Sequence, residues 1–149
     1  DNYDSFTYNL AHLIGDVVGN LPIILKNDEC DYSYIKAQKF THIILSPGPG
    51  NPTIRQDFGV CTDIIQNYNG PMMGVCLGHQ GLAGIECHDC EVVEGSPEPF
   101  HGRVSTIYHE GDSLFQGIPS SFRAMRYHSL VLNETIAAKF HILKDGMDF

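Results

Sequence analysis

Basic residues are scarce in this chain of 149 residues: nine Lys and Arg stand against 18 Asp and Glu, a formal net charge of −9. With no Lys/Arg cluster, that balance argues against nucleic acid and against an anionic membrane face as partners. No apolar run approaches the ~18 residues that a membrane-spanning helix needs, and no basic stretch leads into an apolar one as in a secretory signal. The five cysteines, at positions 30, 61, 76, 87 and 90, are an odd number. Cys87-His-Asp-Cys90 has C-x-x-C spacing, but no second such pair and no spaced His pair completes a zinc site. No metal is expected, and scattered reduced thiols suit a cytoplasmic chain. An initiating Met is also lacking, and the last residues fall just after the turn signal Lys144-Asp-Gly146. The expectation is a single domain, 1–149, truncated at both ends; an organellar leader ahead of Asp1 is compatible with it.

What is present reads as an ordinary globular domain: 42% hydrophobic and 18% charged residues, in a length that suits one core. No repeat, linker or low-complexity stretch interrupts it. Asp4 or Ser5 can cap a helix carrying Phe6, Leu10, Leu13, Ile14 and Val17 at a spacing near 3.6. Leu21–Leu25, Phe40–Leu45 and Met72–Val75 read as short buried strands. Ser46-Pro-Gly-Pro-Gly-Asn-Pro52 can be neither helix nor strand, so a shaped loop is expected there. One helix is expected through Phe58, Val60, Cys61, Ile64 and Ile65, stopping near Asn69-Gly70. Beyond residue 90 the signals are shorter strands, at 91–93, 103–107, 122–125, 130–132 and 140–143. The first half therefore predicts parallel α/β structure and the second a β-rich one.

The chemistry gathers at Gly74-Val-Cys-Leu-Gly-His-Gln80. A strand that ends in Gly-x-Cys-x-Gly and runs into helix-compatible sequence has the form of a nucleophile elbow. Such a turn puts the Cys76 thiol at a helix N-terminus, where unpaired N–H groups and the helix dipole favour the thiolate. The N–H of Leu77, directly after the nucleophile, then faces the position where an oxyanion forms. The competing reading of these five residues alone is a buried structural cysteine.

Four segments tip the balance: this elbow, Ser46-Pro-Gly-Pro-Gly50, His101-Gly102 and Tyr127-His-Ser-Leu130. In order and approximate spacing they resemble the class I (triad) glutamine amidotransferases. Asp1-Asn-Tyr-Asp-Ser-Phe-Thr-Tyr-Asn9, Pro97-Glu-Pro-Phe-His-Gly102 and Arg126-Tyr-His-Ser129 are similar to the subgroup that serves chorismate-using enzymes, anthranilate synthase component II and the amidotransferase part of aminodeoxychorismate synthase. The likeness covers essentially the whole chain. It implies a flavodoxin-like α/β fold, with a mostly parallel sheet, helices on both faces and a β-rich second half. It implies that Cys76 attacks the side-chain amide of L-glutamine, that the N–H groups of Gly48 and Leu77 hold the oxyanion, and that Gly48, Pro49, Gly50, Gln80, Tyr127, Ser129 and Leu130 contact substrate. It implies no cofactor, and a synthase subunit or fused domain as the receiver of ammonia. For His79 a place beside the site, rather than the role of base, is expected; His101 and His128 are expected to make structural hydrogen bonds. Ser5 and Thr7 are expected to cap the first helix, with the exposed part of their segment free to meet a partner.

The base is missing from these residues. The family takes its His and Glu from a later His-Pro-Glu segment, and this sequence holds none. His141, in Phe140-His-Ile-Leu143, lacks the following Pro and Glu and comes too soon after His128. The first strand expected ahead of Asp1 is missing too, and 149 residues alone are expected to fold poorly and to show little glutaminase activity. Gly81 and Gly84 depart from the Ala-like residues expected after the elbow, each costing up to ~1 kcal/mol relative to Ala in a helix. Between the two products, Asn27-Asp-Glu29 and Asp57-Phe-Gly-Val-Cys61 look closer to the aminodeoxychorismate type. The rival readings are a stand-alone γ-glutamyl hydrolase or Cys peptidase, and an interaction domain that keeps the fold without the base.

Overall fold

Ile43-Ile-Leu45 and Met72-Met-Gly74 pair in parallel, Ile43 beside Met72 and Leu45 beside Gly74, in a computed structural model. The model describes residues 1–86, 92–111, 113–132 and 144–145. These two strands, β1 (Ile43–Leu45) and β2 (Met72–Gly74), lie in the first of two compact units, Asp1–Val92; the second is Val93–Phe149. Parallel neighbours need a crossover, and here α3 (Arg55–Phe58) and α4 (Cys61–Asn67) supply it. Helix α5 (Leu77–Glu86) leaves β2 and packs on both strands and on α4. Its Leu77, with Leu45, Phe58, Cys61 and Ile65, forms one buried cluster; Ile35, Val60 and Ile64 form a second.

Several elements depart from the sequence expectations for identifiable reasons. The single helix expected across residues 58–65 is two, broken at Gly59, which has φ of 53° and abuts the Asn27 carbonyl. That carbonyl accepts the Val60 N–H at 2.7 Å, so the break is held by a tertiary contact. An unanticipated helix, α2 (Tyr32–Gln38), starts where the Asp31 carboxylate accepts the Tyr34 N–H at 2.9 Å. Helix α1 (Thr7–Val18) lacks a side-chain cap. Asp4 accepts the N–H of Phe6 just ahead of it, Ser5 is exposed, and the buried Thr7 hydroxyl donates to Asp1 at 2.7 Å, so neither Ser5 nor Thr7 caps it. Leu21–Leu25 is not a strand. A run of apolar side chains becomes a strand only where a ladder partner lies alongside, and the pairing found here is at one end: Asp1 donates to the Leu25 carbonyl and accepts from the Asn27 N–H. Leu21 and Ile23 remain 67% and 70% exposed.

The second unit is a sheet in the order β4-β3-β5. The strands expected at 91–93 and 103–107 are one strand, β3 (Val92–Tyr108), and those at 122–125 and 130–132 are one strand, β4 (Ser121–Leu132). Pro97 and Pro99 are two apart, so their missing donors face the same edge of β3. Lys144-Asp145, read from the sequence as a turn, forms β5, antiparallel to Ile107 and Tyr108. The strand expected at 140–143 lies outside the described residues, as do Cys87, Cys90 and His141.

Candidate active site at a strand–helix elbow

Strand β2 continues its pairing one residue past Gly74, with the Val75 N–H donating to the Leu45 carbonyl at 3.0 Å. The chain then turns at Cys76, which has φ of 51°, a left-handed conformation unusual for a residue with a Cβ. Holding a non-glycine residue there costs of order 1–3 kcal/mol, strain that persists only where the surroundings impose it. They do: the next residues enter α5, with Gly78 N–H bonded to the Val75 carbonyl at 3.0 Å and Gln80 N–H to the Cys76 carbonyl at 2.9 Å. The flanking glycines permit the approach. A Cβ on Gly74 would strike the Gly78 carbonyl, and one on Gly78 would strike the Leu45 carbonyl.

The Cys76 thiol is half-buried, beside the Leu77 N–H at the start of α5. Burial nonetheless raises its pKa above the ordinary thiol value; the Leu77 N–H works against this, and the Asp4 carboxylate adds a smaller upward push. The thiolate favoured by a helix N-terminus alone is thus opposed by desolvation. Burial lowers the pKa of His79, and among the described residues no histidine ring is hydrogen-bonded to Cys76.

Gly48, Pro49 and Gly50 occupy the expected loop after β1. Gly48 is pressed against the Asn2 backbone, leaving no room for a Cβ. Gly50 has φ of 88° and packs on the Asp57 carboxylate, which also accepts the Asn51 N–H at 2.9 Å. Gln80 is buried, 7% exposed, so it is not an ordinary surface residue of α5. It lines a cavity of about 230 Å³ together with Pro52, Arg55 and Gly81. A larger apolar groove of about 630 Å³ runs between α1, residues 20–27 and β1; Cys76 lines neither cavity. Gly81 also corrects its sequence reading, because a Cβ there would enter the ring of Phe58, the most buried side chain of the core. Packing, not helix propensity, decides that position.

Tyr127, Ser129 and Leu130 lie on β4, in the second unit. Alternation puts Tyr127 and Ser129 on the exposed face and His128 and Leu130 on the half-buried one. His101 engages the first pair, with Nε2 2.8 Å from the Ser129 hydroxyl and its ring stacked on Tyr127 at 4.9 Å. Arg126 donates to Nε2 of His128, and since arginine is only a donor, the His128 proton resides on Nδ1 and is donated to the Leu130 carbonyl. Both histidines thus make the structural hydrogen bonds expected of them.

The sequence reading missed a buried polar network in the first unit. The Asn2 side chain donates to the Ser46 carbonyl at 2.9 Å and accepts from Asn27 at 3.0 Å and from the Cys61 thiol at 3.3 Å. Asn27 also donates to the Asp57 carbonyl at 2.8 Å. A buried thiol in this setting stays protonated, its pKa pushed up to about 11. Asn and Ser at loop positions carry no periodic signal, so only folding reveals that they are interior.

Residues 1–148 match the model of the family glutamine amidotransferase class-I. Among curated relatives, anthranilate synthase component 2 of Methanothermobacter marburgensis is 45% identical over 135 residues, spanning 87% of this chain and 67% of the relative. Aminodeoxychorismate synthase of Streptomyces griseus is 44% identical over 134 residues, 90% of this chain and 18% of the relative. The chloroplastic aminodeoxychorismate synthase of Arabidopsis thaliana is 40% identical over 144 residues, 90% of this chain and 15% of the relative. A solved structure from Thermoplasma acidophilum, described as a GMP synthase subunit, superposes with a TM-score of 0.73 at 24% identity, covering 90% of this chain and 64% of that one. That likeness supports the flavodoxin-like α/β fold. The chain belongs to the class-I glutamine amidotransferase family, and it spans about two thirds of its anthranilate synthase relative and under a fifth of the two aminodeoxychorismate synthases.

Proposed function

We propose that this member of the class-I glutamine amidotransferase family hydrolyses glutamine through Cys76 and delivers the ammonia to a chorismate-using synthase. The observation that carries the reading is the elbow: a left-handed Cys76 between β2 and α5, directly followed by Leu77 as the first residue of the helix. In the proposed reaction the Cys76 thiolate adds to the glutamine amide carbon. The N–H groups of Gly48 and Leu77 hold the oxyanion; loss of one such donor typically costs roughly 2.7–4 kcal/mol of barrier. Collapse expels ammonia and leaves a glutamyl thioester, which water converts to glutamate and free thiol. Pro49, Gly50 and Gln80 are proposed to contact the substrate, and the family resemblance extends the same proposal to Tyr127, Ser129 and Leu130. The raised thiol pKa calls for a base to take its proton, a role that the family resemblance gives to the His of a His-Pro-Glu segment, which this sequence does not hold.

The receiver is proposed to be a chorismate-binding subunit or fused domain, because ammonia released into water is lost to protonation and diffusion. Aminodeoxychorismate is proposed over anthranilate on Asn27-Asp-Glu29 and Asp57–Cys61. Within those segments Asn27, Asp57 and Cys61 are bound up in interior hydrogen bonds, so the product is best settled by assay. The three free cysteines among the described residues suit the proposed cytoplasmic setting. Cys76→Ser in the full-length protein with its synthase is expected to cut glutamine-dependent synthesis by about 10⁴-fold or more and to leave ammonium-driven synthesis unchanged. Retained glutamine-dependent activity would remove Cys76 from the mechanism. Turnover without a synthase would favour the γ-glutamyl hydrolase reading instead.

A further inference from the structure

The oxyanion donor proposed at Gly48 belongs to a peptide group whose other end is held. The Ser46 hydroxyl donates to the Pro47 carbonyl at 2.7 Å. That carbonyl and the Gly48 N–H are the two poles of one planar trans peptide, so fixing the oxygen fixes the N–H in the opposite direction. The hydroxyl is itself oriented, because it accepts the Asn2 backbone N–H at 2.8 Å and has its single proton left for Pro47. Asn2 grips the same loop at two further points, the Ser46 carbonyl and the Cα face of Gly48. Asn2 and Ser46 are 2% and 4% exposed, so the bonds between them are shielded from water, while Pro47 is half-buried.

We infer that Ser46 is a positioning residue for the oxyanion donor: the relay from Asn2 N–H through the Ser46 hydroxyl to the Pro47 carbonyl sets the direction of the Gly48 N–H. A serine serves where an apolar residue does not, since the relay needs a short side chain that both accepts and donates. The proline contributes by fixing φ, leaving rotation of the following peptide as the freedom that the hydroxyl removes. The inference rests on the proposed glutaminase reading of Cys76 and Gly48.

The test uses the full-length protein with its synthase, as Ser46→Ala and Ser46→Thr. Four quantities are measured: glutamine-dependent kcat and KM, ammonium-driven synthesis, and the rate of Cys76 alkylation by iodoacetamide, read by peptide mass spectrometry. Alkylation is a displacement at carbon that forms no oxyanion, so it reports on the thiol without the donor. Ser46→Ala is expected to lower kcat at least 10-fold, approaching the roughly 10²–10³-fold of a lost donor. KM should stay within threefold, and alkylation and ammonium-driven synthesis within twofold. Ser46→Thr, which keeps the hydroxyl, is expected to return kcat to within threefold of wild type. The inference is overturned if Ser46→Ala keeps kcat within threefold, or if alkylation slows as much as kcat does. Should Ser46→Ala not fold, Ser46→Cys carries the test: its weaker donor is expected to lower kcat at least threefold at unchanged Cys76 alkylation, and wild-type kcat overturns the inference. Failure of the underlying reading is distinct, because Cys76→Ser would then retain glutamine-dependent activity.

Discussion

The two units of this chain hold their candidate site residues by different means. Among the residues whose burial is described, every buried hydrophobic side chain, from Ala11 to Ala83, belongs to the first unit. Cys76, Gly48 and Gln80 are therefore placed by a packed core, by glycines with no room for a Cβ, and by an interior polar network. In the second unit, β4 alternates between exposed and half-buried positions, and Tyr127 and Ser129 are placed by a stacked ring and a side-chain hydrogen bond. Close packing holds the left-handed Cys76 in its strained conformation, whereas residues on an exposed strand face are fixed only by their own side-chain contacts.

The contrast predicts a descending series of effects. Phe58→Ala, at a fully buried side chain, should destabilise the first unit by about 3–5 kcal/mol, measured by denaturant unfolding; a loss below 1 kcal/mol would break the comparison. Gly81→Ala should cost about 1–3 kcal/mol through the clash with Phe58. Helix propensity alone predicts a gain of up to ~1 kcal/mol, so the sign of the measured change decides between packing and propensity. Ser129→Ala, which removes the hydroxyl facing His101 in the exposed face of the second unit, should cost only about 0.5–1.5 kcal/mol.

The last two predictions concern protons. The folded state raises the pKa of Cys61 from 9.0 to about 11, which favours the neutral thiol. Its contribution to stability is fully present below about pH 9 and is lost as the pH rises through about 11. Alkaline unfolding of the first unit should shift to higher pH in Cys61→Ala once its loss of neutral-pH stability is subtracted. Burial lowers the pKa of His128, so its neutral form is the one favoured by folding. That small contribution is present above about pH 6.5 and is lost as the pH falls through the lowered folded value. An NMR titration of the His128 ring should show a midpoint below that of an unfolded peptide.

Much of the candidate site was legible in the sequence because its chemistry is carried by local patterns. Gly-x-Cys-x-Gly following an apolar run dictates a strand, a sharp turn and a helix, and the structure has them at Met72–Gly74, Cys76 and Leu77–Glu86. The Pro-Gly-Pro-Gly run likewise dictates a shaped loop, because proline fixes φ and glycine admits close approach. Local patterns failed where a distant group decided the outcome. The Asn27 carbonyl, not the apolar spacing, breaks the helix at Gly59, and Phe58, not propensity, selects Gly81. Leu21–Leu25 has the composition of a strand but pairs only at its end, and Lys144-Asp145 has the composition of a turn but pairs with β3.

By itself, then, the sequence determined the acidic character of the chain, the alternation of its elements and the place of the candidate nucleophile, all properties of residues close together along the chain. Tertiary structure alone decided that Asn2, 44 residues away from Ser46, closes on the loop after β1. It also decided that the Cys76 thiol is desolvated enough to resist ionisation. Hydrogen bonds between distant loops and the desolvation of a thiol both depend on which surfaces exclude water together, and that is fixed only when the chain has folded.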